Sequence, residues 1–320
     1  MWTSRSPAPE TLAGAPVRMT RVVCLCALGA AAALGAMFSF VASTPGSAAG
    51  TPRSFGAVRV FPSAPVQGDT LVVLVSVPDH AGATLTFDGS AVATYATPGG
   101  DLRALIGTDP DVAAGSHTIA AAIRDAGGTM RRMTQTVHLA AGRFGVRHLT
   151  LGPTTFGLIT PQNLAIESRA LVPVLRRRTS TAWWDGVFAV PSDGPIDSPY
   201  GEQGVYNGRR EWWHMGVDFA ALEGAPVVAA NAGVVALARP LPLGGNTIVI
   251  DHGQGVLSEY LHLSAFVVHE GARVERGAVI GRIGATGLVT GPSVHWGLYV
   301  NGLPVNPLFW TVPHAGLTAP

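Results

Sequence analysis

The sequence predicts a mainly β chain folded as two successive antiparallel units. Three observations predict it. The chain has 320 residues, which is long for one domain and comfortable for two. Its apolar residues come in short runs punctuated by turn residues, and there are 40 Gly and 24 Pro to supply the turns. Only 13% of residues are charged, against the roughly 25% usual in soluble proteins, which disfavours solvated helix bundles.

The first unit spans residues 53–145. VRVFP, TLVVLVSV, ATLTF, HTIAAAI and TQTVHL read as strands, with breaks at Asp88-Gly89, Pro98-Gly99-Gly100 and Gly127-Gly128. Regular strand and turn spacing without helical periodicity describes a small β-sandwich, Ig-like in size. Asp79, His80 and His117 are scattered here and read as surface or turn residues.

Residues 146–187 read as a linker with a short helix. Pro161 opens the helix through NLAIESRAL, and Pro173 is expected to end or kink it. Arg176-Arg177-Arg178 then reads as a solvated helix end, with contact to anionic wall polymer or lipid as the weaker alternative.

The second unit, residues 188–312, repeats a pattern of strand, Gly turn and strand through APVVAANAGVVALA, GNTIVIDHG, VLSEYLHLS, ARVERGAVIGRIG and SVHWGLYVNG. This describes a compact antiparallel sheet or barrel-like domain.

Ahead of both units, Arg18 and Arg21 precede an apolar stretch from Val22 to Val41, and small residues follow in STPGSAAG. That is the build of a secretory signal, with cleavage expected near Ala48 or Ala49, and the stretch is also long enough to anchor the chain in a membrane. Residues 1–49 are therefore assigned as signal peptide or anchor, and the rest to the periplasm, cell envelope or exterior. Cys24 and Cys26 fall inside this stretch and serve as small apolar residues. The net charge of +1 gives no field for nucleic acid, and all 21 basic residues are Arg.

The chemistry is concentrated in the second unit. HMGVD holds His214 and Asp218, YLHLS holds His262, and GPSVHWG holds His295. Zinc takes imidazole and carboxylate ligands, and a catalytic zinc keeps one position open for water. His214 and Asp218 are four residues apart in a stretch that suits a strand, so one metal can reach both only if the chain bends, with Gly216 as the expected bend. Alternation in SVHWGLYV sends Val294, Trp296, Leu298 and Val300 to a core face. It sends Ser293, His295, Gly297 and Tyr299 to an open one. His252 reads as a turn residue, and His269 and His314 as surface residues.

Taken together, SPYG, HMGVDFAALEGAPVVAANAGVV, GNTIVIDHGQGVLSEYLHLS, VERGAVIGRIGATG, TGPSVHWGLYVNG and VNPL resemble the lysostaphin- and LytM-type zinc metallopeptidases, from about Phe188 to Trp310. The resemblance implies zinc held by His214, Asp218 and His295, with His262 as a catalytic histidine. It implies a substrate among peptidoglycan stem peptides. The family's last motif usually reads His-x-His. Here its first position is Ser293, which can hydrogen-bond but cannot carry a proton at neutral pH as imidazole does. Gly297 stands where many relatives carry an acidic residue. Two functions stay open: an endopeptidase, and a zinc-binding module that activates other cell-wall hydrolases. Arg209 and Arg210, beside Tyr206 and Trp212-Trp213, are expected near the cleft, either meeting substrate carboxylates or as a solvated loop.

Overall fold

The computed structural model describes residues 57–77, 82–124 and 128–317. The signal or anchor segment with Cys24 and Cys26, and also Asp79 and His80, lie outside the described residues. Among the described residues, no helix is long and apolar enough to cross a membrane.

The chain is mainly β, and its pairings are antiparallel with few exceptions. The first unit contains β1 (Val58–Phe61), β2 (Thr70–Val75), β3 (Gly82–Phe87), β4 (Ser90–Val92), β5 (Tyr95–Ala96), β6 (Leu102–Gly107), β7 (Gly115–Arg124) and β8 (Met130–Leu139). They form two four-stranded sheets, ordered β1-β2-β6-β5 and β4-β3-β7-β8. Leu71 and Val73 of β2 pack with Leu85, Ile119, Ala121 and Ile123 of the second sheet. Val72 and Leu105 face the other way and join the core of the C-terminal unit. Burial on both faces explains why TLVVLV is a continuous apolar run rather than an alternating one.

The connecting residues are more structured than a linker. They supply β9 (Val146–Leu149), α1 (Pro153–Phe156) and α2 (Pro161–Leu175). Thr160 caps α2 by accepting from the Asn163 amide, and Pro161 takes the first position, where a missing N–H costs nothing. The helix is expected to end or kink at Pro173, and it instead continues to Leu175. Only two residues follow that proline, and Val174 and Leu175 are buried with Leu237, Val249, Leu257 and Tyr299, so packing holds the last turn. Arg176, Arg177 and Arg178 are exposed, as a solvated helix end requires.

The second unit comprises β10 (Ile196–Ser198), β11 (Gln203–Tyr206), β12 (Arg210–Trp213), β13 (Gly216–Ala220), β14 (Pro226–Val228), β15 (Gly233–Leu241), β16 (Gly245–Gly253), β17 (Val256–Leu263), β18 (Ala265–Phe266), β19 (Arg273–Val274), β20 (Val279–Arg282), β21 (Ser293–Val300) and β22 (Leu303–Val305). An eight-stranded sheet runs β10-β13-β21-β17-β16-β15-β19, with β22 also on β21. One face of it packs on a core built around Trp296, Tyr260, Trp310 and Phe188. The other face is crossed by α2. β9 pairs in parallel with β11, and β11 pairs with β12, so the connecting segment extends the hairpin beside this second face.

The units are joined by polar contacts as well as by shared core. Arg103 donates to Gln254 Oε1 at 2.6 Å, and the Trp310 indole donates to Thr70 Oγ1 at 2.9 Å.

Candidate metal centre and cleft

The site is built on three adjacent strands. Register places Asp218 of β13 opposite His295 of β21, and His295 opposite Leu261 of β17. Residues opposite one another in a sheet share a face, so Asp218 and His295 project together. His214 lies just before β13, where the chain turns out of β12, and its ring folds back over Asp218. The bend is therefore at 214–215 and not at Gly216. Gly216 serves a different need, close approach. A Cβ there would sit 2.5 Å from His295 Nε2 and 2.5 Å from the Trp296 carbonyl oxygen.

His214 Nε2 is 3.0 Å from Asp218 Oδ1 and 3.0 Å from His295 Nδ1, and His295 Nδ1 is 2.9 Å from Asp218 Oδ1. Donor atoms of a tetrahedral shell with bonds of ~2.0–2.1 Å stand ~3.3 Å apart, so the triangle is close to the face of such a shell. The hydrogen bonds behind it fit as well. His214 Nδ1 is 2.9 Å from the Pro199 carbonyl oxygen, to which it donates, which leaves Nε2 bare toward the cluster. Ser198 lies 3.1 Å from the same Nδ1 and donates its own proton to Glu202 at 2.9 Å. Two imidazole nitrogens and a carboxylate, with the outer nitrogen of His214 already committed, are a donor set fit for zinc.

Electrostatics agree. Burial pushes the Asp218 carboxyl up, but the charges and hydrogen bonds of His214 and His295 outweigh it and hold Asp218 well below the usual carboxylate range. Burial lowers His214, yet the Asp218 charge raises it further. Burial lowers His295 despite its bond to Asp218.

His262 reaches the cleft by a backbone irregularity. Strict alternation would send it to the core side with Ser258 and Tyr260. Instead the β16–β17 register shifts between Tyr260 and Leu263, and His262 takes a φ of 67°, uncommon for a residue with a side chain. The ring stands 6.4 Å from that of His295, centroid to centroid. Its amide donates to the Gly244 carbonyl at 2.8 Å, and Nδ1 donates to the Thr286 carbonyl at 2.9 Å, so the neutral ring keeps Nε2 as its acceptor. Burial pushes its pKa down to about 4, partly offset by the Asp218 charge. It is therefore neutral at physiological pH, with Nε2 unprotonated.

Ser293 is also buried on this face and borders the same recess as His214, Asp218 and His262. The face expected to be open is in fact covered: His295 and Ser293 are each 8% exposed. The cover is α2 on one side and the β11–β12 hairpin on the other. Between them runs a cleft of about 290 Å³. Tyr206, Trp212 and Trp213 wall it, with the Trp212 indole donating to the Tyr206 hydroxyl at 3.0 Å. The Trp213 indole donates to Asp111 of the first unit at 3.0 Å, so that unit reaches the rim. Arg209 is exposed, and of Arg210 only the backbone is described.

His252 lies inside β16 rather than in a turn, fully buried, with Nδ1 donating to the Ala232 carbonyl and Nε2 accepting from Ser258, each at 2.7 Å. Both nitrogens are used, which marks a structural histidine. His117 is not a surface residue. It is buried, stacks on Phe87 and is 2.6 Å from Asp88. His314 is half-buried and stacked on Phe309, while His269 is exposed as expected. Sequence reasoning missed Ser198 and Thr286, which orient the site histidines, and Glu167 and Glu259, which line the cleft. A lone charge inside the apolar run VLSEYL was the available signal for Glu259.

Residues 213–307 match the family described as peptidase family M23. The chain carries a peptidase family M23 domain. Over 102 residues the chain is 46% identical to the peptidoglycan DD-endopeptidase ShyA of Vibrio cholerae serotype O1, covering 32% of this chain and 24% of that one. Over 124 residues it is 41% identical to the DD-carboxypeptidase/endopeptidase Mpg of Neisseria meningitidis serogroup B, covering 38% of this chain and 28% of that one. The chain thus spans about a quarter of the length of these curated relatives. The crystal structure of a putative peptidase M23 from Pseudomonas aeruginosa is similar at TM-score 0.59 and 28% identity, over 77% of this chain and 95% of that one. That likeness extends beyond the matched residues 213–307 into the segments that precede them.

Proposed function

We propose that this chain is a zinc-dependent endopeptidase that hydrolyses peptide cross-links of bacterial peptidoglycan. The observation that carries the reading is the triangle of His214 Nε2, Asp218 Oδ1 and His295 Nδ1, with sides of 2.9–3.0 Å, beside a neutral, oriented His262. In the reading, these three residues hold the metal. Zinc held there would supply a water whose pKa is lowered to ~7 and a Lewis acid for the scissile carbonyl. His262 accepts the proton of the attacking water through Nε2 and delivers it to the leaving amine. Ser293 offers a hydroxyl donor to the oxygen that gains charge. The relatives named as peptidoglycan endopeptidases support the substrate class.

The domain organisation is part of the proposal: segment 1–49 exports or anchors the chain, 53–145 is an Ig-like module, 146–187 a connecting element and 188–312 the catalytic domain, acting in the cell envelope or outside the cell. The strand orders β1-β2-β6-β5 and β4-β3-β7-β8 support an Ig-like assignment, because they match the ABED and CFG sheets with one strand added beside C.

A second reading is favoured by Ser293. With one of two expected imidazoles replaced, the domain keeps zinc and activates other wall hydrolases instead of cutting. The test is digestion of purified peptidoglycan, followed by mass spectrometry, with and without a chelator and beside His262→Ala. Chelator-sensitive release of fragments, lost in the variant, supports the enzyme. A zinc-loaded protein that releases nothing overturns it in favour of the activator.

A further inference from the structure

Two buried carboxyl groups in the cleft have no task in this mechanism. Glu167 lies midway along α2 and is 8% exposed; Glu259 lies in β17 and is 3% exposed. Both border the cleft that holds His214, Asp218, His262 and His295. Each has one oxygen engaged. Glu167 Oε1 accepts from the amides of Leu243 and Gly244, both at 2.6 Å, and Glu259 Oε2 accepts from the Tyr299 hydroxyl at 3.1 Å. Each has one oxygen that is buried without a hydrogen-bond partner, Glu167 Oε2 and Glu259 Oε1. The groups also sense one another: burial pushes Glu259 up to about 7, and the Glu167 charge adds to it.

Structure alone explains half of this. Glu167 latches α2 to the loop whose Gly244 carbonyl holds the His262 amide, but that latch uses only Oε1, and a glutamine would serve it. A bare buried carboxyl oxygen costs ~1–3 kcal/mol, and more when charged, so two on one cavity call for a partner. No arginine borders the cleft among the described residues. Glu259 is opposite Gly297, so no side chain from that position covers the carboxyl. Leu164, Leu171 and Leu261 line the same cleft and give it apolar wall.

We infer that this end of the cleft binds an aliphatic primary ammonium group of the substrate. The alkyl stem lies along Leu164, Leu171 and Leu261, and the ammonium donates to Glu167 Oε2 and Glu259 Oε1. A compact ammonium with three donors satisfies both oxygens at once. The identity of the ligand rests on the peptidase reading: it is the side chain of a diamino acid in the peptide being cut, and the pair selects substrates in which that amine is free.

The test uses the full chain loaded with zinc. n-Pentylamine hydrochloride is titrated by calorimetry at pH 8, beside n-pentanol as its neutral counterpart, into wild type, Glu259→Gln and Glu167→Gln. Both substitutions keep an acceptor for the existing hydrogen bonds, and thermal melts report whether each variant folds. Saturable binding of the amine and not of the alcohol is expected, weakened at least ~10-fold by Glu259→Gln, a loss of ~1.4 kcal/mol. Equal binding of amine and alcohol, no binding, or unchanged binding in a folded Glu259→Gln protein overturns the site. An amine held by zinc instead would survive both substitutions and disappear on chelation, which also overturns it. The binding result stands without turnover, so a protein that binds the amine yet cuts no peptidoglycan sinks the peptidase reading alone. A protein that cuts free and N-acetylated cross-linked peptides equally well, and binds no amine, sinks the subsite alone.

Discussion

The two faces of β21 are equally buried and chemically opposite. Val294, Trp296, Leu298 and Val300 are at 0% exposure on the core side; Ser293, His295 and Tyr299 are at 8%, 8% and 3% on the cleft side. Burial therefore does not tell site from core in this protein. The core face is closed by apolar contact, as where Trp296 packs 6.4 Å from Phe219. The cleft face is organised around lone pairs, some committed, as at His214 Nδ1, and some kept bare, as at Glu259 Oε1. One face is expected to fail in stability when cut and the other in chemistry.

The sharpest division comes from Asp218→Ala. On the proposed ligand set it removes one of three donors, so zinc affinity is expected to fall by more than ~100-fold. Elemental analysis after dialysis reads the loss. A variant that keeps stoichiometric zinc breaks the assignment of the ligands. On the opposite face, Trp296→Ala should lower stability by ~3–5 kcal/mol through cavity formation, while the folded fraction keeps its zinc. Urea unfolding with parallel zinc measurement checks it, and zinc loss without destabilisation would erase the distinction between the faces.

A subtler split concerns pH. Glu259 is raised from 4.5 to about 7 by burial, so the folded state holds its proton where the unfolded state has released it. Its contribution to stability is fully present below about 4.5 and declines as pH rises through about 7. The full shift is worth on the order of 3 kcal/mol. Glu259→Gln cannot ionise, so its stability relative to wild type should rise between pH 5 and pH 8. Denaturant midpoints at both values test this, and a parallel shift of the two proteins would mean that the carboxyl is solvated.

The same contrast shows what the sequence could disclose. Alternation in SVHWGLYV separates the two faces correctly because a period of two survives in any regular strand. His214, Asp218 and His295 are legible from residue type and motif order. The placement of His262 is not, since it depends on a register shift and a left-handed backbone at one residue, and the bulge carries no glycine to announce it. The function of Gly216 is equally hidden: it looks like a hinge, and only the His295 ring beside it shows that space is what it provides. His252 and His262, both pushed down to about 4 by burial, look alike until their hydrogen bonds are traced. One uses both nitrogens inside the sheet, while the other keeps Nε2 as an acceptor bordering the cleft.

The smallest effect concerns Ser293, and it decides how far the cleft face is specialised for catalysis. Its hydroxyl lies 3.4 Å from the Gly291 carbonyl, a long contact that a competing acceptor can displace, so the serine is not locked into structure. Its side chain shares a face with His295 two residues on, which is where an imidazole would gain the same recess. Ser293→His should leave zinc stoichiometry unchanged, because no ligand is touched. It should raise kcat on peptidoglycan by about 10-fold, less than the ~100-fold at the low end for an acid–base group, since one histidine already serves. A rise in kcat without a change in zinc content would mean that wild type works with half of the usual proton-transfer apparatus. An unchanged rate in a folded, zinc-loaded variant would mean that His262 alone sets the chemistry, and that the serine is simply a small residue making room for substrate.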